Sequence, residues 1–249
     1  MRKLLGVFLI LLITAPVVVG QSFKADQKRY RRVREAYAEK DTVLQANLDR
    51  LNIERSELEI YIQAYKLDRK LEVYGKNKKD TAFQLLKDID ICALSGNLGP
   101  KRMQGDLQIP EGFYNIIIFN PASNFHLSLG LDYPNKSDKI LGVKGSLGGD
   151  IYIHGDCVTI GCLPLTDDVI KEVYLYCVEA RNNGQSKIPV TIYPARLEEE
   201  TFSQFGVAYA ARPKILALWK DLKAGYDIFE QYKRIPKVKF LSDGRHEIK

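Results

Sequence analysis

Over residues 25–52 the apolar positions Tyr30, Val33, Tyr37, Leu44, Leu48 and Leu51 recur at three- and four-residue steps in an otherwise charged stretch. That period gathers them on one side of a helix and predicts one or two amphipathic helices. From Leu58 the pattern changes. LEIYIQAYK and KLEVYGK flank LDR and predict a hairpin, and AFQLLKDIDIC predicts a further strand. SGNLGPKRMQGDLQIPEG, rich in Gly and Pro, reads as loop, and loops of that length inside a compact domain usually carry function. FYNIIIFN and NFHLSLGLDY return to strand; in the second, His126 and Ser128 face away from Phe125, Leu127, Leu129 and Leu131. GVKGSLGGD is another glycine-rich connection. In IYIH, Tyr152 and His154 share one strand face and Ile151 and Ile153 the other. Thr166-Asp167-Asp168 marks a helix start that runs to about Asn183, with Gly184 as its stop. Ile170, Val173, Cys177 and Ala180 fall on one side of it. KIPVTIYP is the last strong strand. Pro213 opens a helix carrying Ile215, Leu218, Trp219, Leu222 and Phe229, and the ending PKVKFLSDGRHEIK is expected to be extended and exposed.

The first residues follow a different logic. Arg2 and Lys3 precede an apolar run from Leu4 to Ile13 and a small-residue tail to Gly20, the order of a secretory signal peptide. The run, broken by Pro16, falls short of the roughly 20 residues of a membrane span, so cleavage near Gly20 is expected and the mature protein is expected outside the inner membrane, in the periplasm, with no stable membrane span. Hydrophobic content of 45% supports a packed core. Four cysteines in 249 residues are too few for a disulfide-stapled scaffold, although an oxidising compartment permits disulfides. The formal charge of +6 falls to +4 once Arg2 and Lys3 leave with the leader. That mild excess favours an anionic partner such as a wall polymer or a membrane surface. No nucleic-acid partner is expected of an exported chain without a recognised motif.

The densest chemistry lies in IYIHGDCVTIGC, residues 151–162. Three readings compete. His154, Cys157 and Cys162 supply metal-ligand atoms, but structural zinc wants four protein ligands, and His126 and His246 lie in unrelated segments. A Cys157–Cys162 disulfide closes too small a loop to gain much entropy and leaves His154 without a role. The third is a thiol nucleophile with an imidazole base. A fold-back about Val158 sets His154 opposite Cys162, at the roughly 4.5–5.5 Å between Cβ atoms of opposed residues. A neighbouring imidazole then activates a thiol whose ordinary pKa is about 8.5. Gly161 lets a substrate carbonyl approach the backbone, where the N–H groups of Cys162 and Gly161 hold an oxyanion.

HGDCVTIGC followed by LPLTDD resembles the active-site signature of the L,D-transpeptidase (YkuD-type) catalytic domain, in its YafK-like murein branch. The likeness extends through SGNLGPKRMQGDLQIPEGFY, FNPASNFHLSLGLDYPN and GSLGGDIYIHGD, and so covers roughly residues 58–197. The resemblance implies a β-rich L,D-transpeptidase-like catalytic domain over 58–197; with the helical N-terminal arm over 21–57, the helical C-terminal extension over 198–249 and the leader at 1–20 read from the residue pattern, the expected fold is α+β. The resemblance also implies a cysteine enzyme acting on peptidoglycan stem peptides, with Cys162 as nucleophile, His154 as base and the Gly161 N–H as oxyanion donor. Thr159, His126 in FHLS and Lys101 in GPK match shared positions and, with Tyr152 and Gly155, are expected to face substrate. No cofactor and no metal are implied. Histidine and cysteine stand only eight positions apart and Leu163-Pro164-Leu165 follows, where the broad family has a longer gap and an arginine. Both features resemble the YafK-like branch. They leave open whether the chain forms crosslinks or hydrolyses peptide bonds, including those to a wall-linked outer-membrane lipoprotein. A wall-binding module without catalysis is the alternative of another class. Papain-like peptidases carry the pair in the reverse order, and sortases space it much further apart.

Overall fold

The computed structural model describes residues 22–249; the expected leader lies outside the described residues. The chain opens with α1 (Phe23–Gln27) and α2 (Arg31–Arg50), then runs through three strands, β1 (Leu58–Tyr65), β2 (Lys70–Asn77) and β3 (Gln84–Asp90). After a long loop come β4 (Gly112–Asn120), β5 (Ser128–Leu131), α3 (Lys136–Leu141), β6 (Tyr152–His154) and β7 (Leu163–Pro164). The last third holds α4 (Asp167–Asn182), β8 (Ile188–Tyr193), α5 (Glu199–Ala208), α6 (Pro213–Tyr232) and a hairpin of β9 (Val238–Phe240) and β10 (His246–Ile248). This is an α+β architecture around one mixed sheet of eight strands, in the order β3-β2-β1-β8-β4-β5-β6-β7.

Alternation along β1 shows why the sheet needs cover on both faces. Ile60, Ile62 and Ala64 point into an aliphatic cluster built with Leu44 and Leu48 of α2 and Val173 and Cys177 of α4. Tyr61 and Tyr65 point the other way, against Phe229 and Tyr226 of α6. Helix α4 starts where Thr166 Oγ1 accepts the Val169 N–H, with Asp167 and Asp168 in the first turn complementing the helix dipole. Helix α6 starts at Pro213, whose fixed φ and missing N–H suit a first turn. It lies over β2, β1, β8 and the start of β4 and buries Trp219 and Phe229 completely. Among the described residues no helix covers the same sheet face at β5 and β6.

The loop over residues 91–111 is organised by a buried ammonium. Lys66 Nζ donates to the carbonyls of Asn97, Gly99 and Ile109 and to Glu111 Oε1, all within 2.9–3.0 Å. Glu111 also accepts the Gly99 N–H at 2.7 Å and the Trp219 indole N–H at 2.6 Å, which ties the loop to α6. Both charged side chains are almost wholly buried, and four acceptors surround the ammonium's three N–H donors.

One helix departs from the sequence expectation, α3, while α5 falls within the segment expected to be helical. Six residues are too few for a period to show; α3 is fixed instead by a capping box between Asn135 and Asp138. The C-terminal segment, expected to be exposed, forms a hairpin whose His246 is buried beside Asp221 of α6, with its backbone N–H 2.9 Å from Asp221 Oδ2. No described helix is long and apolar enough to cross a membrane.

Candidate active site

Strand β6 ends at His154 and β7 begins at Leu163, and the two pair in parallel, with Ile153 against Leu163 and His154 against Pro164. The antiparallel fold-back about Val158 therefore does not form. The chain leaves the end of β6, turns through Asp156 (φ +63°) and Gly161 (φ +141°), and comes back in the same direction. Extending the register by one residue sets Cys162 level with Tyr152. A Cβ on Gly161 would stand 3.0 Å from the Gln108 carbonyl oxygen, so both its φ and its contact require glycine, and the 91–111 loop backs the Gly161–Cys162 turn directly.

Cys157 does not pair with Cys162. It forms a disulfide with Cys92, 65 residues away, just past β3. That bond fastens the 155–162 connection to the end of β3, the opposite edge strand in the sheet order, where the Cys92 N–H donates to the Pro164 carbonyl at 3.1 Å. Cys162 is a free, part-exposed thiol, and Cys177 a buried one within the α4 core. Among the described residues no group of three or more His, Cys, Asp or Glu is arranged to hold a metal ion.

On the uncovered sheet face a cavity of about 500 Å³ is lined by Cys162, His154, Tyr152, Ser128, Phe125 and Asp150, among others. Ser128 lies directly across from His154 on β5. The absence of a side chain at Gly130, opposite Tyr152, makes room for that ring, whose edge would lie 2.8 Å from a Cβ there. Phe125 lies over the His154 ring at 4.8 Å between centroids. It is carried by a turn that Arg32 of α2 grips through the carbonyls of Ser123 and His126, the latter at 2.6 Å. The helical arm thus shapes the roof of the cavity.

The charge states follow from burial. His154 Nδ1 lies 2.5 Å from the Gly155 carbonyl oxygen. A ring nitrogen facing a carbonyl carries the proton, which leaves Nε2 as the basic nitrogen. Burial holds the imidazole pKa below its ordinary value, opposed by the Gly155 carbonyl and Asp156. Burial pushes the Cys162 thiol up; a backbone hydrogen bond at Tyr152 pulls it down, Asp150 raises it, and Lys101 lowers it. The resting pair is therefore neutral thiol and neutral imidazole. No hydrogen bond joins them in this structure; Cys162 Sγ instead lies 3.5 Å from the Asp150 carbonyl oxygen.

The other sequence candidates divide. Tyr152 and Thr159 line the cavity. Thr159 Oγ1 accepts both the Gly161 N–H, at 3.1 Å, and the Cys162 N–H, at 2.8 Å. The two candidate oxyanion donors converge, but on a side chain. Gly155 packs against Asp167, His126 and Ile170, where a Cβ would lie 2.5 Å from Asp167 Oδ1. His126 does not line the cavity: strand β5 begins only at Ser128, and His126 sits in the preceding turn with φ +63°, outside the strand alternation. Lys101 is buried, its ammonium 2.6 Å from Asp106 Oδ1 and 2.9 Å from the Met103 carbonyl, and acts on Cys162 through its charge alone. Phe125 and Asp150 escaped sequence reasoning. Asp150, with φ +57° after two glycines, had a signal in the GGD triplet.

A part-exposed thiol and a buried imidazole thus line one open cavity on a mixed α+β sheet. The chain belongs to the L,D-transpeptidase family, on its YafK branch. No family model matches it. Two curated proteins, each named "Putative L,D-transpeptidase YafK", from Escherichia coli strain K12 and from Escherichia coli O157:H7, are each 35% identical to it over 191 residues, 76% of this chain and 73% of the relative. Among solved structures, the helical cell shape determining protein Pgp2 from Campylobacter jejuni is 19% identical over 74% of this chain and 73% of that one, with a TM-score of 0.44. Bd1075 of Bdellovibrio bacteriovorus is 21% identical over 72% and 63%, with a TM-score of 0.39. At those scores neither carries functional weight.

Proposed function

We propose that this protein is an exported peptidoglycan enzyme that transfers an acyl group of a stem peptide through a thioester on Cys162. The observation that carries the reading is the shared cavity of Cys162 and His154 in a chain of the L,D-transpeptidase family. As Sγ attacks the carbonyl carbon of the stem's diamino acid, its proton passes to His154 Nε2, since the resting thiol is not ionised. The tetrahedral oxyanion takes the Gly161 and Cys162 N–H groups once Thr159 Oγ1 gives them up. Collapse breaks the C–N bond, and the leaving amine, terminal D-alanine or another amine, departs with the proton from Nε2. An acceptor amine then attacks the thioester, His154 takes its proton, and the sulfur is released as the thiol. The Cys92–Cys157 disulfide supports a periplasmic site, where such bonds persist.

A second reading shares every step but the last: water replaces the acceptor amine, and the enzyme is an amidase or carboxypeptidase, a wall-linked lipoprotein being one source of the leaving amine. Among the described residues no lysine or arginine lines the cavity to meet a free terminal carboxylate, which favours a leaving amine that carries none nearby, whichever acceptor follows.

Incubation with purified muropeptides followed by mass spectrometry separates the outcomes. New crosslinks indicate transpeptidation, loss of terminal D-alanine a carboxypeptidase, and freed lipoprotein peptide an amidase. Cys162→Ala should abolish turnover while sparing binding. Turnover by Cys162→Ala at the wild-type rate would overturn the cysteine mechanism, and binding with no turnover by wild type would make the chain a wall-binding module.

A further inference from the structure

We propose that Asp150 recognises a positively charged amino group of the substrate, the free ammonium on the side chain of the diamino acid whose carbonyl Cys162 attacks. The proposal rests on the stem-peptide reading above and adds to it the group that the site reads.

Position comes first. Asp150 lines the cavity, and its carbonyl oxygen is the atom within 3.5 Å of Cys162 Sγ, so the residue stands beside the reacting sulfur. Among the described residues it is the only carboxylate along the cavity, and no lysine or arginine accompanies it. Among the described residues, no hydrogen bond or ion pair engages its side chain. The nearby cation, Lys101, is already held by Asp106 and the Met103 carbonyl. An unpaired carboxylate on the wall of an apolar-sided cavity is a site for an ammonium.

The backbone makes the same point. Asp150 follows Gly148 and Gly149 in the left-handed region, at φ +57°, where a third glycine would be free of strain. Non-glycine residues held there concentrate at sites where the side chain is used. The chemistry adds a third argument. In the empty site this carboxylate raises the thiol of Cys162 and the phenol of Tyr152, and so opposes the ionisation that attack requires. A substrate ammonium against Asp150 cancels that opposition as the carbonyl reaches the sulfur. The correct substrate thereby helps to activate its own nucleophile.

The test compares two synthetic stem peptides that differ in one group: a free side-chain amine on the diamino acid, or the same amine acetylated. Turnover is measured with wild type and Asp150→Asn, and affinity by calorimetry with Cys162→Ala and with Cys162→Ala/Asp150→Asn, so that the answer does not depend on catalysis. Wild type should favour the free amine by about five- to tenfold in KM, the range of a partly exposed charge-assisted contact, with the same ratio in affinity for Cys162→Ala. Asp150→Asn should weaken only the free-amine peptide and bring the two within about twofold. Equal affinity of Cys162→Ala for both peptides, discrimination that survives Asp150→Asn, or an equal loss for both peptides overturns the proposal. Discrimination seen in calorimetry without turnover of either peptide by wild type upholds Asp150 and removes the enzymatic reading instead.

Discussion

One face of one sheet is put to two uses. Beneath α6, on β1 and β8, four of its polar side chains bond in a chain: the Tyr61 hydroxyl donates to Thr191 Oγ1 at 2.7 Å, the Gln63 amide to the Tyr61 hydroxyl at 3.2 Å, and the Tyr65 hydroxyl to Gln63 Oε1 at 2.5 Å, while the buried Tyr193 hydroxyl meets no partner among the described residues. On β5 and β6 the same face carries Ser128, Tyr152 and His154 with no helix above among the described residues, and a cavity takes the helix's place. The residue types are alike, aromatic and hydroxyl-bearing. What differs is the lid. Where α6 lies down, polar side chains hold each other in a fixed arrangement and contribute to stability. Where it stops short, they face a space that a substrate can fill, and nearby Val158 and Ile160 stay exposed, Ile160 to 79%.

Substitutions in the two halves should therefore separate stability from turnover. The largest effect is expected at the joint between them. Lys66→Met removes the ammonium that binds the 91–111 loop to Glu111 and leaves that carboxylate buried without a charge partner, a change that costs about 3–5 kcal/mol. Chemical denaturation measures it, and a loss below about 1 kcal/mol would show that the loop does not depend on the pair. In the covered half, Tyr61→Phe should cost about 1–2 kcal/mol by leaving Thr191 and Gln63 short of a partner, with muropeptide turnover unchanged. In the open half, the response is to pH. The folded pKa of His154 lies below the ordinary histidine value, so on acidification the unfolded chain takes up this proton first. The contribution to stability is present above about pH 6.5 and is lost as pH falls below it. Turnover, which needs the neutral ring, should fall along an acid limb centred below about pH 6.5; a limb centred above that value would mean that the working ring is charged. The smallest stability change belongs to Ile160→Ser, within about 0.5 kcal/mol for so exposed a position, but KM should rise as the cavity wall loses its apolar rim.

The covered half was the more legible in the sequence. The β1–β2 hairpin, α4 with its Thr166 cap and α6 with Pro213 all announce themselves through local period and capping chemistry. The neighbourhood of Cys162 and His154 was legible too, because both lie within one twelve-residue stretch. The parallel return of β7 was not, since alternation specifies which face a residue takes and says nothing of the direction of its partner strand. Phe125 was assigned by alternation to an apolar strand face, yet it belongs to a turn that Arg32, 93 positions earlier in the chain, holds in place. The Cys92–Cys157 bond and the Lys66–Glu111 pair likewise join residues far apart in sequence, with no periodic pattern to point from one to the other.

Three sulfur environments now stand within one small region, and the covalent one decides the fate of the others. With Cys157 tethered to Cys92, the exposed thiol of its own loop has no intramolecular sulfur to condense with, and Cys177 is sealed under α4. Cys162 therefore has no accessible intramolecular thiol with which to close a disulfide, and the oxidation routes left to it are sulfenic acid formation and exchange with other disulfides.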